Sequence, residues 1–170
     1  NHIDINIYFF IQGVDMQKKV LTEQSLYFGN VSMPKGFKIN RQELAVYISH
    51  CNLTGKKIPF SRTWDMLNTY IQEHIKLEHK LKIFNKNTWG TLYTPLETSP
   101  PLLNVDLVDL KNSADYTMLY GVEVEDCMVT IYYNDNRRKG KSWEIELENN
   151  MFIMFPSSNT YYITNNQKKK

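Results

Sequence analysis

Short apolar runs recur about every ten residues through the second half of the chain. They read WGTLYTPL, YTMLYGVEV, MVTIYYN, SWEIEL and MFIMFPS, and Asn, Asp, Gly, Pro and Lys separate them. Alternating runs rich in aromatic and β-branched residues are typical of strands. From Trp89 onward, the pattern predicts short antiparallel strands that form either a barrel or a jelly roll.

The first half has a different pattern. IDINIYFFI, residues 3–11, predicts a half-buried strand. Asn40 and Glu43 have the spacing of a capping box, which predicts a short helix over about 41–50 that buries Leu44, Tyr47 and Ile48.

A longer helix is predicted over roughly 61–83, after Pro59. Its apolar residues recur at helical spacing and form one stripe: Trp64, Leu67, Ile71 and Ile75. We expect this stripe to pack on one face of the β-structure. The whole chain is then one α+β domain, 1–170, with a helical part and N-terminal strand at 1–87 and a β-core at 88–170.

Composition narrows the function classes. The 170 residues are 42% hydrophobic, 22% charged and carry a net charge of +2, so a folded domain is expected and a globally basic nucleic-acid binder is not. No apolar run approaches the roughly 20 residues that span a bilayer, and no signal peptide is recognised. We therefore expect a soluble protein without membrane or nucleic-acid partners. Cys51 and Cys127 are expected to be reduced and buried.

A basic loop separates two of the predicted strands. The segment after Tyr133 reads NDNRRKGK and contains Arg137, Arg138, Lys139 and Lys141. Such a loop either contacts an acidic partner or is a solvated hairpin tip whose charge prevents pairing with other strands. We take these four cations as the candidate contact with a neighbouring subunit.

The order of these elements resembles the iron and 2-oxoglutarate dependent oxygenases of the prolyl-hydroxylase type, and small phage-encoded members of that family in particular. Met118–Val122 is similar to the family's glycine-containing strand, and Phe155-Pro156-Ser157 is similar to the strand before its distal metal histidine. The resemblance implies N-terminal helices packed on a double-stranded β-helix, a cupin-like jelly roll.

The same resemblance locates the metal ligands, and this chain lacks both histidines, while the carboxylate is kept as Asp106. Where the family has His-x-Asp, the sequence reads Asn104-Val105-Asp106, and where it has the distal histidine, the sequence offers Tyr161 or Tyr162. Ferrous iron in this family needs two imidazoles and one carboxylate. The tyrosines are therefore expected to be packing and hydrogen-bonding residues. We expect this chain to have no catalytic residue, metal or cofactor. The four histidines all precede the β-core, and His74 pairs with Glu78 at i, i+4.

Three functions follow. The first is a non-catalytic oxygenase-like jelly roll that serves as a structural or protein-interaction module in an assembly or homo-oligomer. It would most naturally be a component of a phage particle, located in the virion or the host cytoplasm. The second is an active oxygenase with altered ligands. The third is a carbohydrate- or small-ligand-binding jelly roll that uses exposed aromatic residues, for which the candidates are Tyr132, Tyr133, Trp143, Tyr161 and Tyr162.

Overall fold

The computed structural model describes residues 17–21, 23–55, 62–133 and 140–168. The strand predicted over 3–11 and the segment around Pro59 lie outside the described residues. The described helices and strands are β1 (Tyr27–Asn30), α1 (Arg41–Thr54), α2 (Arg62–His79), a 3-10 helix (Leu110–Asn112), β2 (Tyr116–Tyr120), β3 (Cys127–Tyr133), β4 (Lys141–Leu147), β5 (Met151–Pro156) and β6 (Tyr161–Asn165).

Helix α1 begins where the capping residues predict. Asn40 Oδ1 accepts a hydrogen bond from the Glu43 amide at 3.1 Å, which satisfies one of the free first-turn donors. The helix runs four residues beyond the predicted end and terminates at Gly55, whose φ of 65° is left-handed. Leu44 is buried as expected, whereas Tyr47 and Ile48 are half-buried.

Helix α2 ends at His79, earlier than the predicted residue 83. Lys80 adopts a left-handed φ of 55°, and its amide donates to Lys76 O at 3.0 Å, which closes the last turn. The predicted end was wrong because the sequence has no glycine or proline here to indicate the stop. His74 Nε2 lies 3.2 Å from Glu78 Oε1, which confirms the predicted i, i+4 pair.

Six strands form two antiparallel sheets of three strands each. The first sheet has the order β1-β5-β2 and the second has the order β4-β3-β6. Residues of the central strand β5 alternate between two apolar clusters. Met151, Ile153 and Phe155 pack with the second sheet, while Phe152 and Met154 pack with α2.

The layers are therefore helix, first sheet and second sheet. Leu67, Ile71 and Ile75 of α2 are almost fully buried, and Trp64 packs at the edge of the same cluster. This confirms both the α+β class and the predicted packing of the long helix on the β-structure. Both cysteines are buried free thiols, also as predicted.

Two of the strand predictions were partly wrong. The segment after Trp89 forms no strand, and only Thr98 and Leu102 make isolated bridges to β6. Its backbone is held elsewhere: the Gly90 amide donates to Cys51 Sγ at 3.3 Å, and a Cβ at Gly90 would lie 2.7 Å from Ile48. The run YTMLYGVEV is a strand only to Tyr120.

Neither described helix is long and apolar enough to cross a membrane.

Candidate functional site

Asn104 and Tyr161, two of the four positions that the resemblance indicated, contact each other. Tyr161 begins β6, where its backbone pairs with Leu102 through bonds of 2.7 and 3.0 Å. This pairing brings Asn104, two residues further along, beside the Tyr161 side chain. The Asn104 side-chain amide donates to Tyr161 Oη at 3.1 Å.

Two hydroxyl groups extend this contact across the sandwich. The Asn104 amide also donates to Thr117 Oγ1 on β2 at 3.1 Å, and Thr117 Oγ1 lies 2.9 Å from Ser157 Oγ. Thr117, Ser157 and Tyr161 are buried, and Asn104 is half-buried. We call these four residues the Asn104 network. It links the first sheet to the second, because β2 belongs to one and β6 to the other.

The environment keeps the Tyr161 phenol neutral. Burial raises the pKa of Tyr161 above its usual value of 10, and the hydrogen bond from Asn104 offsets only part of that rise. The Phe155 ring lies 5.1 Å from the Tyr161 ring in an edge-on arrangement. A phenol must lose its proton to bind a metal well, and this apolar surrounding disfavours the phenolate. Tyr161 is thus a packing and hydrogen-bonding residue, as predicted.

Asp106 does not join the network. Its side chain is exposed, and Oδ1 accepts a hydrogen bond from the Val108 amide at 2.9 Å. Its own amide donates to Ser113 Oγ at 2.8 Å. Among the hydrogen bonds of the described residues, none connects Asp106 to Asn104 or Tyr161. The carboxylate stabilises its own loop.

The Tyr162 side chain lies on the face of β6 opposite to the Tyr161 side chain. Alternation along β6 directs it to the outer face of the second sheet, where its ring lies 5.8 Å from Tyr132. A hydrogen bond between the two phenols is the main cause that raises the Tyr132 pKa. The remaining aromatic candidates lie elsewhere: Trp143 packs against Phe28 at the opposite edge of the sandwich, and Tyr133 is exposed at the end of β3.

The structure describes only Gly140 and Lys141 of the basic loop. Arg137, Arg138 and Lys139 lie outside the described residues, and Lys141 is the first residue of β4. The predicted hairpin around them is confirmed, since β3 and β4 pair from Cys127–Leu147 to Tyr133–Lys141. The loop's role as a contact stays a prediction.

Thr117 and Ser157 were not among the predicted site residues. Ser157 is the last residue of the Phe155-Pro156-Ser157 motif, but the sequence predicted no role for its hydroxyl. Thr117 occupies an inward position of β2, opposite Phe155, and a polar residue at an inward position is the signal that could have identified it.

The network offers an amide, two aliphatic hydroxyls and a neutral phenol. These groups satisfy one another's hydrogen bonds, and no buried side-chain nitrogen or oxygen of the described residues lacks a partner. No group of three or more His, Cys, Asp or Glu side chains in those residues has the geometry to hold a metal ion. The arrangement suits a structural link better than a binding pocket, because every buried side-chain polar atom of the described residues already has a partner.

Searches of protein-family models, curated proteins and solved structures found no significant match to this chain.

Proposed function

We propose that this chain is a non-catalytic jelly-roll protein, related in architecture to iron and 2-oxoglutarate dependent oxygenases, that acts as a structural or protein-interaction subunit. Its placement in a phage particle derives from the sequence resemblance alone. The observation that carries the proposal is the hydrogen bond between Asn104 and Tyr161. Asn104 is at the position where the resemblance expects one metal-binding imidazole, and Tyr161 is one of the two candidates, with Tyr162, for the position of the other.

Strand pairing supports the jelly roll. Antiparallel pairs are nested along the chain: β3 with β4, then β2 with β5, then the bridges at Thr98 and Leu102 with β6. Successive pairs belong alternately to the second, first and second sheets. A jelly roll arises in this way, from one long antiparallel hairpin rolled into two facing sheets.

The donor set supports a non-catalytic role. An oxygenase of this type needs neutral imidazoles and a carboxylate on one side of the metal. Asn104 supplies an amide that already donates two hydrogen bonds, Tyr161 supplies a protonated phenol, and Asp106 caps a turn. No histidine follows His79 in the sequence, so the altered-ligand oxygenase would need other donors.

Metal titration tests the proposal directly. The purified chain is titrated anaerobically with ferrous iron, with and without 2-oxoglutarate, and bound metal is counted after desalting. We expect no stoichiometric iron and no absorption band that depends on 2-oxoglutarate. The double variant Asn104→His with Tyr161→His serves as the comparison, because it returns two imidazoles to adjacent positions. Stoichiometric iron in the unmodified chain, lost on Asp106→Ala, would contradict the proposal.

A further inference from the structure

The loop that follows Asn104 has its apolar side chains in solvent. Val108 is 96% exposed, Leu107 is 73% exposed and Leu110 is 60% exposed. Single exposed aliphatic residues are common on protein surfaces, but three within four positions of one loop form a concentrated patch. We call residues 103–113 the apolar loop.

The polar groups of the apolar loop bond to one another. Asp106 accepts from the Val108 amide, Ser113 Oγ donates to Asp109 O at 3.1 Å, and the Asn112 amide donates to the Asp109 carboxylate at 2.8 Å. Lys86 Nζ donates to Asn112 O and links the loop to a neighbouring segment. These bonds fix the backbone before any partner arrives, which reduces the entropy lost on binding.

An aromatic pair with one exposed ring and one half-buried ring lies on the opposite side of the sandwich. The rings of Phe28 on β1 and Trp143 on β4 are 5.4 Å apart, and Phe28 is 54% exposed. The edge strands of the first sheet are β1 and β2, and the edge strands of the second sheet are β4 and β6. The apolar loop joins the β6-paired bridge at Leu102 to the start of β2. It therefore leaves the sandwich on the β2/β6 side, away from the aromatic pair.

Charge also differs between the two sides. Residues 103–115 contain Asp106, Asp109 and Asp115 against Lys111, and Lys86 adds a second cation through its bond to Asn112 O, which leaves one net negative charge. Lys141 lies two residues before Trp143 on β4, so alternation places it on the same face of the strand as Trp143. The acidic aliphatic loop and the aromatic pair next to a cation are both apolar and are opposite in charge.

We infer that the apolar loop of one copy of this chain binds the Phe28–Trp143 pair of a second copy. Because the two surfaces lie on opposite sides, the contact is head-to-tail and produces a ring or a filament. Val108 and Leu107 would be the aliphatic anchors, and the two rings would supply much of the receiving area. The inference deepens the proposed interaction role and rests on it. The acidic residues disfavour the other candidate for such a loop, an anionic membrane surface.

Analytical ultracentrifugation of the full chain over a concentration series tests the contact. We expect the unmodified chain to associate beyond a dimer or into a closed ring. Val108→Asp and Phe28→Asp, each alone, should raise the dissociation constant at least about tenfold, since each removes one anchor of the interface. Leu53→Asp, at an 84% exposed position on α1, is the matched control and should associate as the unmodified chain does.

Mixing the two deficient variants gives the sharpest result. The Phe28→Asp chain keeps its loop and the Val108→Asp chain keeps its aromatic pair, so an equimolar mixture should form a one-to-one dimer and nothing larger. Circular dichroism confirms that each variant is folded, and Val108→Ser replaces Val108→Asp if it is not.

Three outcomes would overturn the inference: an unmodified chain that stays monomeric, a mixture that stays monomeric, or undiminished association of Val108→Asp. Loss of binding to phosphatidylcholine vesicles by Val108→Asp, with a monomeric unmodified chain, would assign the loop to a membrane instead. Iron binding in the titration above would remove the non-catalytic role and leave this contact standing. The two ideas can therefore fail separately.

Discussion

The side-chain amide of Asn104 hydrogen-bonds to both sheets. Asn104 donates one hydrogen bond to Thr117 and one to Tyr161, whose oxygens are both buried. Asn104→Ala removes both donors: Thr117 Oγ1 keeps Ser157 Oγ as a partner, whereas Tyr161 Oη loses the donor that Asn104 supplies inside the protein. We expect the free energy of unfolding to fall by about 1–3 kcal/mol, the usual cost of a buried polar group without a partner. Urea denaturation measures this loss.

The hydrogen bond predicts non-additivity as well. Tyr161→Phe removes only the hydroxyl, and once it is gone, Asn104→Ala should cost less than it does in the unmodified chain. Asn52→Ala, at an exposed position of α1, is the control and should change stability by less than about 0.5 kcal/mol. Additive losses at residues 104 and 161 would show that the contact contributes nothing to stability.

Two other tyrosines make stability depend on alkaline pH. Burial raises the pKa of Tyr93 to about 12, and burial likewise raises the pKa of Tyr120 to about 12. The unfolded chain loses these protons near pH 10, so between pH 10 and 12 the folded state binds more protons than the unfolded state. Stability should be fully present below pH 10 and fall as the pH rises towards 12.

Thermal unfolding at pH 9 to 12 checks this dependence. The unmodified chain is compared with Tyr93→Phe and Tyr120→Phe, which share all its lysines, so lysine titration cancels in the comparison. Each variant should lose less of its Tm over that range than the unmodified chain does. Parallel curves would mean that neither phenol is responsible.

Among the elements, helix α2 has the most exactly defined packing. Leu67 is fully buried in the cluster that joins the helix to Phe152 and Met154 of β5. Leu67→Ala should lower the free energy of unfolding by roughly 2–5 kcal/mol, through lost apolar burial and the cavity left behind. Leu77→Ala on the same helix, at an 80% exposed position, should cost less than about 0.5 kcal/mol. Chemical denaturation of the two variants side by side gives the comparison.

Elements with a repeated pattern were predictable, and elements held by tertiary contacts were not. The stripe from Trp64 to Ile75 and the short apolar runs of β3 and β5 are properties of the local sequence. Strand β1, with only four residues, is too short for its alternation to be recognised. The segment after Trp89 has strand-like composition, but its backbone is packed against α1 through Gly90 rather than paired in a sheet.

The candidate site, like the fold, was predictable only in part. The resemblance indicated Asn104 and Tyr161, and the structure brings their side chains into contact. It also indicated Asp106 and Tyr162, which lie outside the Asn104 network: Asp106 caps the apolar loop, and Tyr162 alternates to the outer face. Thr117 and Ser157 join the Asn104 network because β2 pairs with β5. These two strands are far apart in the sequence, and a pairing over that distance cannot be read from a local pattern.

At the scale of the whole molecule, the two lateral sides of the sandwich are unlike. One side has the acidic apolar loop, and the other has the Phe28–Trp143 pair next to Lys141. A self-complementary two-fold dimer needs the same patch on both subunits, whereas unlike sides favour head-to-tail contacts. The predicted cations Arg137, Arg138 and Lys139 precede Lys141 in the sequence. They therefore add positive charge to the segment that leads into the aromatic side.

Charge reversal of this segment tests whether electrostatics contribute to assembly. We expect Arg137→Glu, Arg138→Glu, Lys139→Glu and Lys141→Glu, combined in one variant, to weaken association most at low ionic strength, because salt screens charges at exposed sites. The matched control reverses the same number of charges at exposed lysines elsewhere: Lys18, Lys19, Lys76 and Lys80. Both variants reach the same net charge, so general repulsion affects them equally, and only a local contact separates them.

The salt series then distinguishes the charged from the apolar part of the contact. Association of the unmodified chain should weaken from low to high salt, while association of the charge-reversed variant should strengthen, because salt screens the repulsion between the introduced glutamates and the acidic apolar loop. The effect of Val108→Asp should persist at high salt, because salt does not screen the stabilisation that comes from burying an aliphatic side chain. Equal association of the charge-reversed variant and its control at every salt concentration would remove the basic segment from the interface and leave the apolar loop as its anchor.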